Sequence, residues 1–255
     1  MEAPKNHLKR ALKAGRKQFG CWLNLNGSLG AEIVGRAGFD WVLIDAEHGP
    51  NGIHDITVQL QVLEGLNTSS IVRVPIGETW IIKQVLDAGA QSLLIPIVES
   101  AEEAQKLVDA VTYPPNGKRG VGAFVARAAQ FGTLKDYLTS ADEQICLIIQ
   151  LETRAGLEAL DHMLSVDGID GVFVGPSDLA ADMGFLGNPK SPEVQRAIAD
   201  ALTRISASGK TAGILSLDDS DTKKYVEHGA RMVGVASDVL TLNHNLRAKA
   251  AKWIT

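Results

Sequence analysis

Eight times along 255 residues, a short apolar run is followed by a longer stretch of helical periodicity. The runs lie near residues 20–25, 41–46, 70–74, 92–97, 144–151, 171–175, 212–215 and 231–236. Continuous apolar runs of roughly four to eight residues suit strands buried on both faces, as in a parallel sheet covered by helices. Between them, stretches such as "ITVQLQVLEGL", "TWIIKQVLDAG" and "SPEVQRAIADALTRISASG" repeat apolar residues on one helical face. Ser100 and Ser191 are predicted N-caps, with Glu103 a capping-box partner for Ser100 and Pro192 at the first helical position. Gly89, Gly209 and Gly229 are predicted helix stops. Eight βα units in a chain of this length are the pattern of a TIM (β/α)8 barrel. An open doubly wound sheet is the alternative, but no GxGxxG follows the first run. No repeat or linker divides the chain, so one domain over 1–255 is expected, with a thirty-residue stretch at 113–142 that must be functional or hold a small helix.

Charge narrows the class of partner. Twenty-five basic residues against thirty acidic ones leave a net charge of −5, which argues against a nucleic-acid surface and against a membrane-surface helix. The N-terminus lacks the apolar core of a signal peptide, and no apolar run nears the ~18 residues of a membrane span. Cys21 and Cys146 lie in separate apolar runs with no metal-ligand spacing and fit buried free thiols in a reducing compartment. A cytoplasmic protein is expected.

In a TIM barrel, chemistry sits at the carboxyl ends of the strands. The second run ends in Asp45-Ala46-Glu47-His48, the third carries Arg73, the fifth ends with Gln150 and Glu152, and the sixth with Gly175-Pro176-Ser177-Asp178. Each has a plain reading: a loop histidine, an arginine paired to a carboxylate, acidic residues at helix starts. Their convergence on one rim favours a site. Glu152 and Asp178 are hard oxygen donors suited to Mg²⁺ or Mn²⁺, with open positions for a bidentate 2-oxo acid. The Gly175–Asp178 turn opens a helix whose N–H groups can receive a carboxylate. Arg73 suits an enolate oxygen and His48 a proton transfer; Asp87, near the end of the helix after the third run, could orient that histidine, although periodicity alone does not single it out.

The segments "FDWVLIDAEHGPN", "VRVP", "IKQVLDAGAQSLLIPIV", "YPPNGKRGVG", "LIIQLETRAGLE" and "GVFVGPSDLAADMGFLGNP" together resemble the metal-dependent pyruvate aldolases of the HpcH/HpaI family, from about Leu8 to the C-terminus. The resemblance implies a barrel of the phosphoenolpyruvate/pyruvate superfamily and a class II aldol reaction that uses Mg²⁺, Mn²⁺ or Co²⁺. It implies reversible cleavage of a 4-hydroxy-2-oxo acid to pyruvate and an aldehyde, with 4-hydroxy-2-oxoheptanedioate and succinic semialdehyde as the favoured pair. It also implies a homohexamer in which C-terminal helices, about 238–255, are exchanged between subunits.

Position by position, His48 is similar to the family's acid/base and Asp87 to its dyad partner. Arg73 matches the arginine on the enolate oxygen, Glu152 and Asp178 the metal ligands, and Gln150 a residue near pyruvate. Main-chain N–H groups of Gly175, Ser177 and Asp178 would meet the pyruvate carboxylate, with Asp45 and the 119–127 loop toward the aldehyde. Departures gather at Ala123-Phe124 and Gln130-Phe131, which leaves the aldehyde open: sugar-acid aldolases of the 2-dehydro-3-deoxyglucarate or rhamnonate type are an alternative. An acyl-CoA lyase would need a basic cluster for the nucleotide, and the sequence shows none. A catalytically silent barrel that binds a 2-oxo acid is the reading outside enzymes.

Overall fold

The computed structural model describes residues 1–254. Its strands are β1 (Gln18–Leu23), β2 (Trp41–Asp45), β3 (Ser69–Arg73), β4 (Ser92–Ile95), β5 (Cys146–Leu151), β6 (Gly171–Val174), β7 (Thr211–Leu215) and β8 (Ala230–Ser237). They pair in parallel in chain order, and β8 closes on β1, giving the expected TIM barrel rather than an open sheet. All eight predicted runs are strands, with ends moved by one or two residues; β1 starts earlier, at Gln18, and β4 stops at Ile95.

Two-residue periodicity divides each strand between two cores. Trp41, Leu43, Ile71, Ile148, Phe173 and Met232 fill the barrel interior together with Trp22. Their neighbours in sequence, such as Val42, Ile44, Val72, Ile149 and Val174, pack outward against the helices. Glycines make room for the large interior rings: a Cβ on Gly20 would lie inside the Trp41 indole, and one on Gly213 against Phe173. The helix His7–Lys13, capped by the Asn6 side chain, adds Leu8 and Leu12 to the same interior cluster.

The helix signals hold with one adjustment. Ser191 caps Pro192–Ala207, and Gly89, Gly209 and Gly229 take φ of +112°, +84° and +103°. Ser100 Oγ accepts from the Glu103 N–H, but the Glu103 carboxylate reaches back to the N–H of Glu99, one residue short of a reciprocal box. Residues 113–142 hold a 3-10 turn, Arg127–Ala129, and a short helix, Tyr137–Ser140, around a small core of their own. Val121, Phe124, Val125 and Phe131 of this stretch are exposed. So are Leu240, Leu246 and Trp253 on the last helix, Asp238–Trp253, which buries only Asp238. Cys21 and Cys146 are buried free thiols. Among the described residues, no helix is long and apolar enough to cross a membrane.

Candidate active site

The inward faces that are apolar low in the barrel turn polar at the carboxyl ends of the strands. On β2, Trp41 and Leu43 are followed by Asp45; on β3, Ile71 by Arg73; on β5, Ile148 by Gln150 and then Glu152. Asp45 and Arg73 are direct partners across the β2–β3 register. Their side chains therefore meet: Arg73 Nε donates to Asp45 Oδ1 at 2.9 Å and Nη2 to Oδ2 at 2.7 Å. The third guanidinium nitrogen, Nη1, lies 2.7 Å from Glu47 Oε2, and the group stands 5.8 Å over the Trp22 ring. Burial works against the charge, but Asp45 and Glu47 outweigh it and hold the Arg73 pKa above its ordinary value.

Asp45 is fully buried and has no open face. Besides Arg73, its carboxylate accepts from Asn24 Nδ2 at 2.8 Å and from the N–H groups of Glu47 and His48 at 3.1 and 3.3 Å. It lies beneath Arg73 and does not face an aldehyde as the resemblance implied, because its lone pairs are consumed inside the turn. That turn is closed by Asn51 Nδ2 donating to the Asp45 carbonyl at 2.7 Å and by Gly49, where a Cβ would strike the same carbonyl.

Glu152 is 2% exposed. It stands between β5 and Thr153, the N-cap of the following helix Arg154–Leu164, and is not part of that helix's first turn. One carboxylate oxygen accepts from the Ile97 N–H at 2.9 Å, the other from the Gln150 amide. Burial pushes its pKa up to about 7; the Ile97 and Gln150 hydrogen bonds oppose this, and the nearby Glu47 and Asp178 charges reinforce it. Burial likewise raises Glu47, against the pull of Arg73. Glu47 and Asp178 are near enough to add negative charge around Glu152, and the nearby Arg73 guanidinium is already paired with Asp45 and Glu47. Gln150 Oε1 is buried without a hydrogen-bond partner.

The β6 end supplies the opposite wall. Asp178 lies exposed in the first turn of Pro176–Asp182. Gly175 is required for space: a Cβ there would fall 2.5 Å from Glu152 Oε2 and 3.0 Å from Gln150 Nε2. Its N–H is not free for a ligand, since it donates to the Leu151 carbonyl at 3.0 Å as the ladder continues past the strand. In this turn the N–H groups left without a backbone acceptor are those of Ser177 and Asp178, in the first turn of the helix.

His48 and Asp87 do not form a dyad within the chain. His48 is exposed at the rim, its Nε2 4.0 Å from Glu47 Oε1. Asp87 is the last residue of the helix Thr79–Asp87, and a helix that returns antiparallel to the strands ends at the opposite face of the barrel. There it lies 3.7 Å from Arg119 Nη2. Burial raises its pKa, against the pull of Arg119 and Lys83. The 119–127 loop sits at that face too, with Gly122 beside Asp87, and does not reach the mouth of its own barrel. Arg119 escaped the sequence reading. It is buried, stacks 4.4 Å over Tyr113 and donates to Tyr137 at 3.3 Å; the signal was an arginine heading a glycine-rich run that stays apolar as far as Arg127.

The donor set fits a hard divalent cation that keeps most of its shell for water or substrate. Among the described residues, no three His, Cys, Asp or Glu side chains converge to enclose a metal. Glu152 and Asp178, with the orphaned Gln150 carbonyl beside Glu152, give an open, oxygen-only edge in negative surroundings.

The model of one family, HpcH/HpaI aldolase/citrate lyase, matches residues 18–245. The chain belongs to the HpcH/HpaI aldolase/citrate lyase family. A hydroxypyruvate/pyruvate aldolase of Roseovarius nubinhibens is 51% identical over 255 residues, covering 100% of this chain and 99% of the relative. A 4-hydroxy-2-oxo-heptane-1,7-dioate aldolase of Salmonella dublin is 48% identical over 249 residues, 98% of this chain and 95% of the relative. Among solved structures, a HpcH/HpaI aldolase/citrate lyase family protein of Burkholderia cenocepacia superposes with a TM-score of 0.94 at 36% identity, covering 98% of this chain and 100% of that one. This HpcH/HpaI member is therefore an enzyme of a lyase family, with its polar rim where barrel enzymes do chemistry.

Proposed function

We propose that this chain is a divalent-metal-dependent aldolase that joins and cleaves a pyruvate-type 2-oxo acid and an aldehyde. The observation that carries the reading is the buried Arg73, locked by Asp45 and Glu47 beside the Glu152–Asp178 pair. A fixed guanidinium next to a cation site is what a developing enolate needs, because both stabilise charge only as it forms. Glu152 and Asp178 would hold the ion, and Mg²⁺, Mn²⁺ or Co²⁺ would supply Lewis-acid withdrawal of charge from the 2-oxo group. The free N–H groups of Ser177 and Asp178 take the substrate carboxylate, and the Gln150 side chain fills the space beside it. Arg73 donates to the enolate oxygen. His48, exposed at the rim, removes the proton from the C4 hydroxyl in cleavage and returns it in synthesis.

Asp87 can serve His48 only from a second copy of the chain, since its own barrel separates the two. This is consistent with an oligomer, and the exposed Phe124, Val125, Leu240 and Trp253 offer apolar surface for one. Relatives at 51% identity are named for hydroxypyruvate as well as pyruvate. That favours a donor site open to both, with 4-hydroxy-2-oxoheptanedioate cleavage as the second reading from the 48% relatives.

The test is a panel of aldehydes with pyruvate or hydroxypyruvate, before and after EDTA. Activity should vanish with the chelator while the circular dichroism spectrum stays unchanged, and Mg²⁺, Mn²⁺ or Co²⁺ should restore it. Full activity in chelated enzyme, or a pyruvate imine trapped by borohydride, would refute the metal mechanism and point to a lysine Schiff base.

A further inference from the structure

Between β4 and the helix Ala101–Val111, the chain makes a turn that the reaction scheme leaves unexplained. Ile97 adopts φ of +50°, in the left-handed region. Among the described residues, two other non-glycine residues share a positive φ, Gln130 and Phe131, and both lie in the 113–142 stretch far from the barrel mouth. For a β-branched residue this conformation is a true outlier, because Cβ crowds the following carbonyl. Glycine would adopt it freely, yet an isoleucine stands here, 56% exposed. Such an outlier persists only where the surroundings over-determine it.

Its surroundings do so. Pro96 precedes it and has no N–H to give. The Ile97 N–H donates to Glu152 Oε1 at 2.9 Å, and the next N–H, Val98, donates to the Gln150 carbonyl at 3.2 Å. Two consecutive main-chain donors past the neighbouring strand end thus grip the end of β5 at Gln150 and the Glu152 that follows it. In the extended conformation that isoleucine prefers, the two N–H groups would point to opposite sides, and one grip would be lost. The other Glu152 oxygen is engaged by Gln150, so the carboxylate is held at both ends before any ligand arrives.

We infer that Ile97 is a positioning residue: its left-handed backbone aims the N–H that fixes the Glu152 carboxylate for cation binding. The inference rests on the reading of Glu152 as a cation ligand. The grip fixes the rotation of the carboxylate and leaves one lone pair of each oxygen for an ion. The role belongs to the main chain, so it follows the φ angle and the N–H and not the isoleucine side chain.

The experiment measures Mn²⁺ binding to the metal-free protein by electron paramagnetic resonance, independently of turnover. Ile97→Gly and Ile97→Asn, which accept positive φ and keep the N–H, should leave the Mn²⁺ Kd within about threefold of the parent. Ile97→Pro removes the N–H and forbids the angle, and should weaken Mn²⁺ by ~10-fold or more, the usual loss for a group that orients a ligand. Where Ile97→Pro fails to fold by circular dichroism, replacement of the Ile97 amide by an ester removes the N–H alone and should give the same loss. Parent-like Mn²⁺ affinity in the proline or ester protein overturns the inference, as does a ~10-fold loss in Ile97→Gly, which would assign the role to the side chain. Glu152→Gln separates the two levels: if the parent binds Mn²⁺ and this variant binds it equally well, the ligand reading itself is wrong, whatever Ile97 does.

Discussion

Asp45→Asn preserves the shape of a fully buried side chain and removes its charge, so it isolates what that carboxylate does. One oxygen of Asp45 now receives Arg73 Nε and the N–H groups of Glu47 and His48; the other receives Arg73 Nη2 and Asn24 Nδ2. An amide has one acceptor oxygen. Whichever way it turns, its NH2 faces at least two of these donors, one of them the buried guanidinium. Removing one partner of a buried ion pair costs ~3–5 kcal/mol. Arg73 keeps Glu47 at 2.7 Å, which places the loss at the lower end, about 3 kcal/mol. For a chain of this size that is a fall in Tm of ~6–12 °C. Thermal unfolding by far-UV circular dichroism reads the stability, and turnover should fall with it because Arg73 loses its two-point anchor. A variant with a Tm within ~2 °C of the parent and only a raised KM for the aldehyde would refute the argument and return Asp45 to the substrate side.

Gly175→Ala should drive a methyl group into Glu152 Oε2, now 2.5 Å from that Cβ position, and both Glu152 oxygens are already held. The expected result is a Mn²⁺ Kd raised ~10-fold or more with ~1–3 kcal/mol of overpacking loss, read by Mn²⁺ titration and thermal melting. Glu152 also gives a signed pH dependence: its folded pKa of about 7 exceeds its ordinary value of 4.5. Between these values the folded chain holds the proton more tightly than the unfolded chain, so metal-free protein should lose up to about 3 kcal/mol as pH rises through this window and little more above it. Bound Mn²⁺ competes with that proton, so its stabilisation should be larger at about pH 8 than at about pH 5, which melts with and without metal will show. His48→Ala should lower aldol cleavage by at least ~10²-fold while sparing oxaloacetate decarboxylation, which has no hydroxyl proton to remove. Equal loss of both activities at saturating metal would deny His48 a dedicated proton-transfer role.

Local pattern carried the fold. Apolar runs of strand length, helical periodicity between them, and caps at Ser191 and Gly229 are properties of neighbouring residues, and they were enough to specify eight βα units. The same period-two logic put Gln150 and Glu152 on one face, and the strand-end rule brought Arg73, Glu152 and Asp178 to one rim. What local pattern lacks is register and direction across the sheet. The pairing of β2 with β3 sets Asp45 directly against Arg73, and this turns a side chain expected to face the aldehyde into a buried counter-ion. The continuation of the β5–β6 ladder uses the Gly175 N–H that was expected to meet a carboxylate. Asp87 shows the limit most plainly. Its sequence position within a family motif marks it as important, but a helix antiparallel to its strand carries the last turn to the far end of the barrel. Distance between such groups is set by closure of the sheet, which depends on all eight strands together, and no window of sequence contains it.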